Sequence, residues 1–340
     1  MNINLLLDLC ETAPFITRKA LPNATALYLD HDSNQGEMLF YHLFPGIDLA
    51  LILIDAARWP APDLDSTVVS SSVPEAPFII NYCIEGRCEL LLNNEKYVYL
   101  TKNQLSLTEC YAQGEYIYPQ HHYVGLEFFL DLETLARDSS FLLDHLDLHA
   151  GDLIARCCPG NETYIASTSE EVKEAFLELF ALTTARDPKL FHSIQLNALT
   201  ILDRLLHGQP LKPSQSCTFY TKGQISIAKA SHDILTEDLR KHHPAKELAE
   251  RFGISETSLK NYFRGVYGEN LSDYMRSVRM NKAADLLLST RLSVAQISEQ
   301  VGYQNQSKFA SNFKRCFHLS PLAYRRSHRI AIRKENTLPK

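Results

Sequence analysis

Short runs of apolar residues alternate with turn-forming residues between about residues 37 and 131. The clearest runs are rich in Ile, Val, Leu and Tyr: FIINYCI (78–84), CELLL (88–92), YVYLT (97–101) and LSLT (105–108). Turns are expected at EGR (85–87) and NNEK (93–96), and HYVGLEFFLDLE (122–133) is predicted to be a closing strand. Short strands with no helix between them predict an antiparallel sheet, built as a sandwich or barrel.

A helical period replaces this pattern between about residues 168 and 207. Ser169 precedes two glutamates that suit a helix N-terminus, and Asp187-Pro188 supplies an N-cap and first-turn pair for a second helix that stops at Gly208. The second helix carries an apolar stripe: Leu190, Ile194, Ala198, Leu202 and Leu205. QPLKPSQS (209–216) is rich in Pro and Ser and predicts a linker.

From Ile225 onward the chain is predicted to be helical, and one design occurs twice. In AKELAERFGISETSLKNYF (245–263), the small residue Ala249 lies four positions before Gly253. Glycine adopts a left-handed turn at little cost, so Gly253 is expected to end one helix. Ser255 is the expected cap of the next helix, whose inner face would carry Leu259 and Phe263. This order predicts a helix-turn-helix.

The second copy is VAQISEQVGYQNQSKFASNF (294–313). Ser298 and Gly302 repeat the small residue and the turn glycine 49 positions later. Asn305 is the expected cap, and Phe309 and Phe313 are the expected inner face, after a turn that is one residue longer. With every part present twice, the pattern predicts helix-turn-helix motifs at 245–264 and 294–315.

The segment between the two motifs predicts a single long helix from about residue 271 to 288. Asn270, with Asp273 three positions later, resembles a capping box. Eighteen residues would span roughly 27 Å, and major-groove faces on one side of B-DNA lie roughly 34 Å apart. One chain is therefore expected to hold two DNA-reading helices about one helical turn apart.

The charge of the chain is divided unevenly. The total is −6, but residues 221–340 hold 21 Lys and Arg against 11 Asp and Glu, a balance of +10. Residues 1–220 hold 13 Lys and Arg against 29 Asp and Glu, a balance of −16. A basic tail on an acidic body indicates nucleic-acid contact, although a solvated basic face on a plain helical bundle is the alternative.

The overall composition narrows the classes of protein to which the chain could belong. With 45% hydrophobic and 22% charged residues, the chain fits a globular protein. No apolar run is long enough to span a membrane, and MNINLLLDLCETAP (1–14) lacks a basic segment, so a strand or short helix is expected there instead of a signal peptide. A cytoplasmic location is predicted. The eight cysteines form no C-x-x-C pair and are predicted to be free thiols, with a redox or metal role as the alternative.

RLSVAQISEQVGYQNQSKFASNFKRCFHLSPLAYRR (291–326) resembles the signature of AraC/XylS-type transcription regulators. The resemblance covers about 105 residues, from Ser226 to Arg329, and rests on these positions: Ile297, Gly302-Tyr303, Phe309, Phe313-Lys314, Phe317, Pro321 and Tyr324-Arg325. His318 departs from the pattern, because the family usually has glycine there. A local change in the turn is expected at that point.

The resemblance implies that the third and sixth helices of this domain enter two adjacent major grooves of double-stranded DNA. The implied base contacts are Thr257, Ser258, Lys260 and Asn261 on the first reading helix, and Gln306, Ser307, Lys308 and Ser311 on the second. Gln and Asn suit adenine and Lys suits guanine, although Lys also contacts phosphate, which positions the protein without specifying a sequence. The expected phosphate contacts are Arg264, Lys314, Arg325 and Arg326, together with the helix N-termini.

In the N-terminal part of the chain, only the pattern of strands resembles the family. In the family, a jelly-roll, cupin-like barrel followed by helices binds a small effector and a second subunit. This implies an α+β chain with four parts: an effector domain (1–155), a helical connector and linker (156–215), a DNA-binding domain (221–330) and a tail (331–340). The implied partners are DNA, an unidentified small molecule, a second copy through 188–207 and, for an activator, RNA polymerase.

A cupin-type metalloenzyme fused to a DNA-binding tail is the alternative function. QHHYVGLEF offers His121, His122 and Glu127, but adjacent side chains on a strand point to opposite faces, which disfavours a three-ligand site. An alkyl-transfer protein with a reactive cysteine would need clustered cysteines near the N-terminus, where Cys10 is isolated. The chain is therefore predicted to be no enzyme and to hold no cofactor and no metal.

Overall fold

The structure is a computed structural model that describes residues 7–8, 11, 13–31, 34–60, 77–92, 95–108, 116–137, 143, 146–157, 163–214 and 218–327. These residues separate into two compact units, which divide between Tyr220 and Thr221. The predictions for residues 1–14 lie largely outside the described residues, and those for the tail lie wholly outside them. No described helix is long and apolar enough to cross a membrane.

The described part of the N-terminal unit contains twelve strands: β1 (Ile16–Leu21), β2 (Ala24–His31), β3 (Asn34–Phe44), β4 (Ile47–Asp55), β5 (Arg58–Trp59), β6 (Phe78–Leu91), β7 (Tyr97–Thr101), β8 (Gln104–Thr108), β9 (Tyr116–Ile117), β10 (Tyr123–Leu130), β11 (Tyr164–Ser167) and β12 (Lys212–Pro213). The main order is β1-β2-β3-β4-β10-β6-β8-β11-β12, while β7 and β9 pair with β6, and β5 pairs with β9. Every pairing between these strands is antiparallel, which confirms the prediction of an antiparallel β domain.

Strand β4 shows how the sheet is buried on both faces. Side chains along a strand point alternately to opposite faces. Leu49 and Leu51 lie in a core that includes the helices of this unit. Ala50 and Ile52 lie in a second core, between strands, on the other face. The apolar run at residues 49–54 of β4 follows from this, because this part of the strand packs against a core on each face.

The turn expected at 85–87 is not present. Strand β6 continues through it, and its register against β10 shifts between Val124 and Gly125, which identifies a β-bulge. Gly86 has a φ of +87°, and a Cβ atom there would lie 2.2 Å from the carbonyl oxygen of His122. Only glycine fits this close approach, so the glycine marks a bulge in a continuous strand.

Two boundaries of the sheet also differ from the prediction. Strands β1 and β2 and the start of β3 lie between residues 15 and 37, where no element was predicted. At the other end, β10 stops at Leu130, and the last predicted strand residues begin helix α1 (Leu132–Arg137). Asp131 caps this helix, because its carboxylate accepts hydrogen bonds from the backbone N–H and the hydroxyl of Thr134 at 3.3 and 3.0 Å.

Three further helices follow in this unit: α2 (Ala150–Cys157), α3 (Glu170–Thr184) and α4 (Phe191–His207), the last preceded by a 3₁₀ turn at Pro188–Leu190. Ser169 caps α3 through its hydroxyl, and Asp187 caps the 3₁₀ turn through its carboxylate, as predicted. The apolar stripe of α4 is buried at Ile194, Ala198, Leu202 and Leu205 against the sheet and α3. This stripe is therefore part of the chain's own core.

The predicted linker is partly attached to the sheet. Strand β12 pairs with β11, so Lys212 and Pro213 extend the sheet at its edge. The hydroxyl of Ser214 is buried and accepts a hydrogen bond of 2.6 Å from the side-chain amide of Gln104. An open edge strand presents unpaired backbone groups, and the composition of the linker gave no sign that it would pair with one.

The C-terminal unit consists of helices α5 (Lys222–Glu237), α6 (Ala245–Arg251), α7 (Glu256–Tyr267), α8 (Leu271–Ser289), α9 (Val294–Gln300) and α10 (Gln306–Phe317), and residues 321–327 are helical. The 19-residue helix α8 is the predicted long connector, about 28 Å long. The capping box predicted at its start is wrong, because the Asn270 side chain makes no capping bond. Asp273 instead accepts a 2.7 Å hydrogen bond from Arg276.

Candidate nucleic-acid interface

The first helix-turn-helix consists of α6 and α7. At its turn Gly253 has a φ of +66°. The backbone N–H of Gly253 donates to the carbonyl of Glu250, and that of Ile254 donates to the carbonyl of Ala249, both at 3.1 Å. Ala249 is buried where the helices meet. The predicted turn glycine and small crossing residue are confirmed.

The second motif, α9 and α10, repeats this geometry 49 positions later. Gly302 has a φ of +80°, and its N–H donates to Glu299 at 3.0 Å, while that of Tyr303 donates to Ser298 at 2.9 Å. Ser298 is buried and takes the place of Ala249. The two motifs are therefore two copies of one structural unit.

Side-chain caps start both reading helices. The hydroxyl of Ser255 accepts a hydrogen bond from the N–H of Ser258 at 3.0 Å. The carboxamide oxygen of Asn305 accepts one from the N–H of Lys308 at 2.9 Å. The caps lie 50 positions apart, whereas the turn glycines lie 49 positions apart. The prediction that the turn of the second motif is one residue longer is therefore confirmed.

Aromatic rings hold the inner face of α10. Phe309 and Phe313 are fully buried, and the centroid of the Phe313 ring lies 4.6 Å from that of Phe317. The ring of Tyr303 meets Phe309 edge-on at 5.7 Å, and that of Tyr324 meets Phe313 at 5.4 Å. Because aromatic pairs of this geometry add to burial energy, the outer face of α10 is presented from a rigid base.

Helix α7 is held by a similar cluster that includes its neighbours. The ring of Phe263 lies 4.6 Å from that of Tyr267 and 5.3 Å from that of Tyr274, on α8. His232, on α5, stacks on Tyr267 at 4.9 Å. These contacts fix the first reading helix between α5 and α8.

The eight predicted base-contacting residues lie on the outer parts of α7 and α10. Seven are exposed: Thr257, Lys260, Asn261, Gln306, Ser307, Lys308 and Ser311. Ser258 is half-buried, and its hydroxyl lies 2.9 Å from that of Ser255. The ammonium of Lys260 lies 2.5 Å from the carboxylate of Glu256, whereas the sequence of α10 contains no acidic residue. The second reading helix is therefore the more cationic of the two.

The predicted phosphate contacts fall into two groups. Arg264, Lys314 and Arg326 are exposed. Arg325 instead donates from Nε to the carbonyl oxygen of Leu287 at 3.1 Å, and from Nη2 to that of Leu292 at 2.7 Å. These bonds connect the end of α8 to the loop before α9, so Arg325 has a structural role that the motif did not reveal.

One exposed cation on α10 was not among the predicted DNA contacts. Arg315 is exposed and donates to the side-chain oxygen of Asn312 at 2.9 Å. Asn312 in turn donates to the hydroxyl of Tyr303 at 3.3 Å. The signal that could have found Arg315 is the absence of acidic residues from α10, which makes all three of its cations candidates.

His318 keeps the turn that glycine makes elsewhere. It follows α10 with a left-handed φ of 58°. Gly268 follows α7, 50 positions earlier, with a φ of 79°. The local change expected at His318 is therefore wrong. A residue with a side chain adopts the same conformation, at a cost of roughly 1–2 kcal/mol relative to glycine.

The candidate metal ligands upstream are used in other ways. His121 and His122 precede β10 instead of lying on it, so the prediction that they lie on a strand was wrong. Nδ1 of His122 lies 2.7 Å from the carboxylate of Asp55, and Glu127 is buried beside Asn81. Within the described ranges, no three His, Cys, Asp or Glu side chains come close enough to share a metal ion.

Three cysteines have described side chains, and all three are free thiols. Cys83 and Cys88 are buried in the strand core, and burial raises the pKa of Cys83 to about 12. Cys316 is exposed on α10. Cys10, which the alkyl-transfer alternative invoked, lies outside the described residues.

Known proteins resemble the chain most clearly in this interface. Residues 248–327 match a family model described as a helix-turn-helix domain. The lactose operon transcription activator of Staphylococcus xylosus is 30% identical over 100 residues, which are 29% of this chain and 35% of that protein. The HTH-type transcriptional regulator AlkR of Acinetobacter baylyi is 25% identical over 206 residues, 58% of this chain and 66% of that protein.

Among solved structures, the C-terminal domain of AraT, a response regulator from Geobacillus stearothermophilus, is 30% identical with a TM-score of 0.29, and the match covers 30% of this chain and 84% of that one. The chain spans less than two thirds of the length of the two curated relatives. The family match includes most of the first motif and all of the second. The C-terminal unit of this chain is an AraC/XylS-type helix-turn-helix domain.

Proposed function

We propose that the chain is a sequence-specific DNA-binding transcription regulator. One observation carries this proposal: two copies of a helix-turn-helix are mounted on the 19-residue helix α8, and each exposes polar and cationic side chains on its second helix. Two such helices in one chain would occupy two successive major-groove faces of B-DNA. The basic balance of residues 221–340 supplies the attraction to phosphate.

In this function α7 and α10 enter adjacent major grooves. Gln306 and Lys308 read base edges near the start of α10, since their side chains suit adenine and guanine. Arg264, Lys314 and Arg326 contact phosphates. Arg325 is left out of this set, because its guanidinium holds backbone carbonyls within the domain.

The test replaces Gln306 and Lys308 together by alanine and measures binding to the DNA upstream of the neighbouring genes by gel shift. Each base contact that is lost should weaken specific binding by about 1–3 kcal/mol and relax the sequence preference at that position. The matched control replaces Gln300 and Lys282, which are exposed on α9 and α8, and removes the same side chains and charge. Equal loss of binding in the two double variants would refute the assignment.

We also propose that the N-terminal unit senses a small molecule and forms the dimer contact, and that the protein acts in the cytoplasm. A dimer contact through 188–207 would use the outer face of α4, where Leu196 is 66% exposed, because the apolar stripe is already internal. RNA polymerase is a partner if the protein activates transcription. No described site favours catalysis, and the proposal includes no enzyme activity.

A further inference from the structure

A polar cavity of about 110 Å³ lies beside β6, β7 and β8 in the N-terminal unit. Six residues line it: Arg87, Tyr99, Thr101, Gln104, Thr218 and Tyr220. One buried water needs roughly 10–15 Å³ of such space, so the cavity has room for a small molecule of several heavy atoms.

The cavity lies on the face of β6 and β7 that points away from the strand core. Cys88, Val98 and Leu100 belong to that core. Arg87 and Tyr99 are their immediate neighbours along the two strands, and neighbouring strand residues point to opposite faces. The site is therefore separate from the interior of the sheet, which bulky side chains fill.

Residues 218–220 form one wall of this cavity, where Tyr220 contacts strand β7. The backbone groups of Tyr220 and Tyr97 exchange two hydrogen bonds of 2.8 Å, and the rings of Tyr220 and Tyr99 meet edge-on at 6.1 Å. Hydrogen bonds of this kind each contribute only about 1 kcal/mol net. The next residue, Thr221, caps the first helix of the C-terminal unit.

The chemistry of the wall favours an anion. Arg87 is the only charged residue among the six, and its guanidinium lies 5.3 Å from the centroid of the Tyr99 ring, whose hydroxyl is occupied because it donates to the carboxylate of Glu89 at 2.7 Å. Gln104 is occupied structurally, because its oxygen accepts from the N–H and the hydroxyl of Thr101 at 2.9 and 2.8 Å. Thr218 and Tyr220 add hydroxyl-bearing side chains. A half-buried guanidinium with hydroxyl groups beside it suits an oxyanion, which it can bind through two parallel hydrogen bonds.

We propose that this cavity binds a small molecule bearing a carboxylate or phosphate group, and that the bound anion fastens residues 218–220 to β6 and β7. A ligand held between Arg87 and Thr218 or Tyr220 adds bonds between this segment and the sheet. That segment leads directly into the DNA-binding unit, so the anion is a candidate effector. The effector role rests on the proposed function, whereas the binding itself does not.

The test titrates the full-length protein with sodium acetate, inorganic phosphate and neutral acetamide at constant ionic strength, and measures binding by calorimetry or ligand-observed NMR. Acetate or phosphate should saturate a single site and acetamide should not, and the stronger of the two anions identifies the headgroup. R87M should weaken this binding at least about tenfold, the equivalent of one charge-assisted hydrogen bond. The control R58M removes an arginine from an exposed strand position and should leave binding unchanged.

Milder variants and a second readout complete the test. T218V and Y220F each remove one hydroxyl group and should weaken binding severalfold, even if R87M fails to fold. Hydrogen exchange in the peptide containing residues 218–221 should slow when the anion binds. No saturable binding, equal binding of acetamide, or binding that none of these variants weakens overturns the site. Binding without slower exchange overturns the fastening of the segment.

The gel shift with the Gln306 and Lys308 variants is carried out separately, without acetate or phosphate. If the wild-type protein shows no specific DNA binding but still binds acetate, only the effector role is refuted. Intact DNA binding with no anion binding would refute this inference alone.

Discussion

At the scale of single residues, the carboxyl group of Glu127 is the least expected buried group in the described part of the chain. It lies on β10 within the strand core, where the side-chain amide of Asn81 donates to it at 3.3 Å and the hydroxyl of Tyr123 donates to Asn81 at 2.6 Å. Burial raises the pKa of Glu127 from 4.5 to about 7, and the bond from Asn81 only partly opposes this. The folded state therefore favours the protonated acid.

This shift predicts how stability depends on pH. A folded pKa above the unfolded pKa means that folding loses stability as pH rises from about 4.5 to about 7. Glu127→Gln keeps an acceptor for Asn81 and removes the ionisation. It should raise the free energy of unfolding relative to wild type at pH 8 by something on the order of 3 kcal/mol, and should change it little at pH 4.

The measurement is urea unfolding of both proteins at pH 4, 6 and 8. Glu174→Gln, at an exposed position on α3, is the control and should show no such trend. A difference between wild type and Glu127→Gln that does not grow with pH would contradict the buried-acid account.

At the scale of elements, the two turn glycines differ in what surrounds them, although their sequence motifs match. A Cβ atom at Gly253 would meet nothing within 4 Å. At Gly302 it would lie 2.1 Å from the carbonyl oxygen of Leu239, in the loop between α5 and α6. The turn of the second motif thus packs against a loop beside the first motif and helps to fix the two motifs relative to each other.

Gly253→Ala should cost about 1–2 kcal/mol of stability, the usual cost of a left-handed conformation for an L residue. Gly302→Ala should cost roughly 3 kcal/mol or more, because the backbone at Leu239 must also move. Thermal unfolding of the two single variants measures the difference. The pair forms its own control, since the substitution and the backbone conformation are the same, and equal losses would show that the contact with Leu239 is unimportant.

Elements whose signals are local could be predicted from the sequence, and those that depend on distant partners could not. Caps such as Ser169 and Asn305 and the turn glycines act within four residues, so their positions were evident. The continuation of β6 through Gly86 depends on the backbone of His122, and the attachment of Ser214 depends on Gln104, 110 residues away. Likewise, the role of Arg325 depends on carbonyls 33 and 38 positions earlier.

Charge decides the behaviour of the whole molecule in salt. The balance of −6 would suggest repulsion from DNA, but the DNA-binding unit carries +10. At distances beyond about 8–10 Å, salt screens the acidic residues elsewhere in the chain, while cations in contact with phosphate release counterions.

A steep salt dependence is therefore expected. With three or more phosphate contacts, from Arg264, Lys314 and Arg326, the logarithm of the binding constant should fall with the logarithm of salt concentration at a slope of about −3 or steeper. Lys314→Ala should reduce the magnitude of the slope by about 1, and Lys282→Ala should leave it unchanged. Fluorescence anisotropy between 50 and 200 mM salt measures these slopes. A binding constant of the wild type that does not change with salt would contradict the predicted phosphate contacts.

The tandem arrangement of the two motifs also has a consequence for the DNA itself. The two reading helices belong to one chain and present different side chains, with Thr257, Lys260 and Asn261 on α7 and Gln306, Ser307 and Lys308 on α10. A site matched to one protein molecule is therefore directional and has no internal symmetry. Reversing such a site in a promoter reverses the orientation of the bound protein, so the orientation of the site should affect regulation. Searches for target genes should therefore look for two different short sequences in a fixed order, instead of a palindrome.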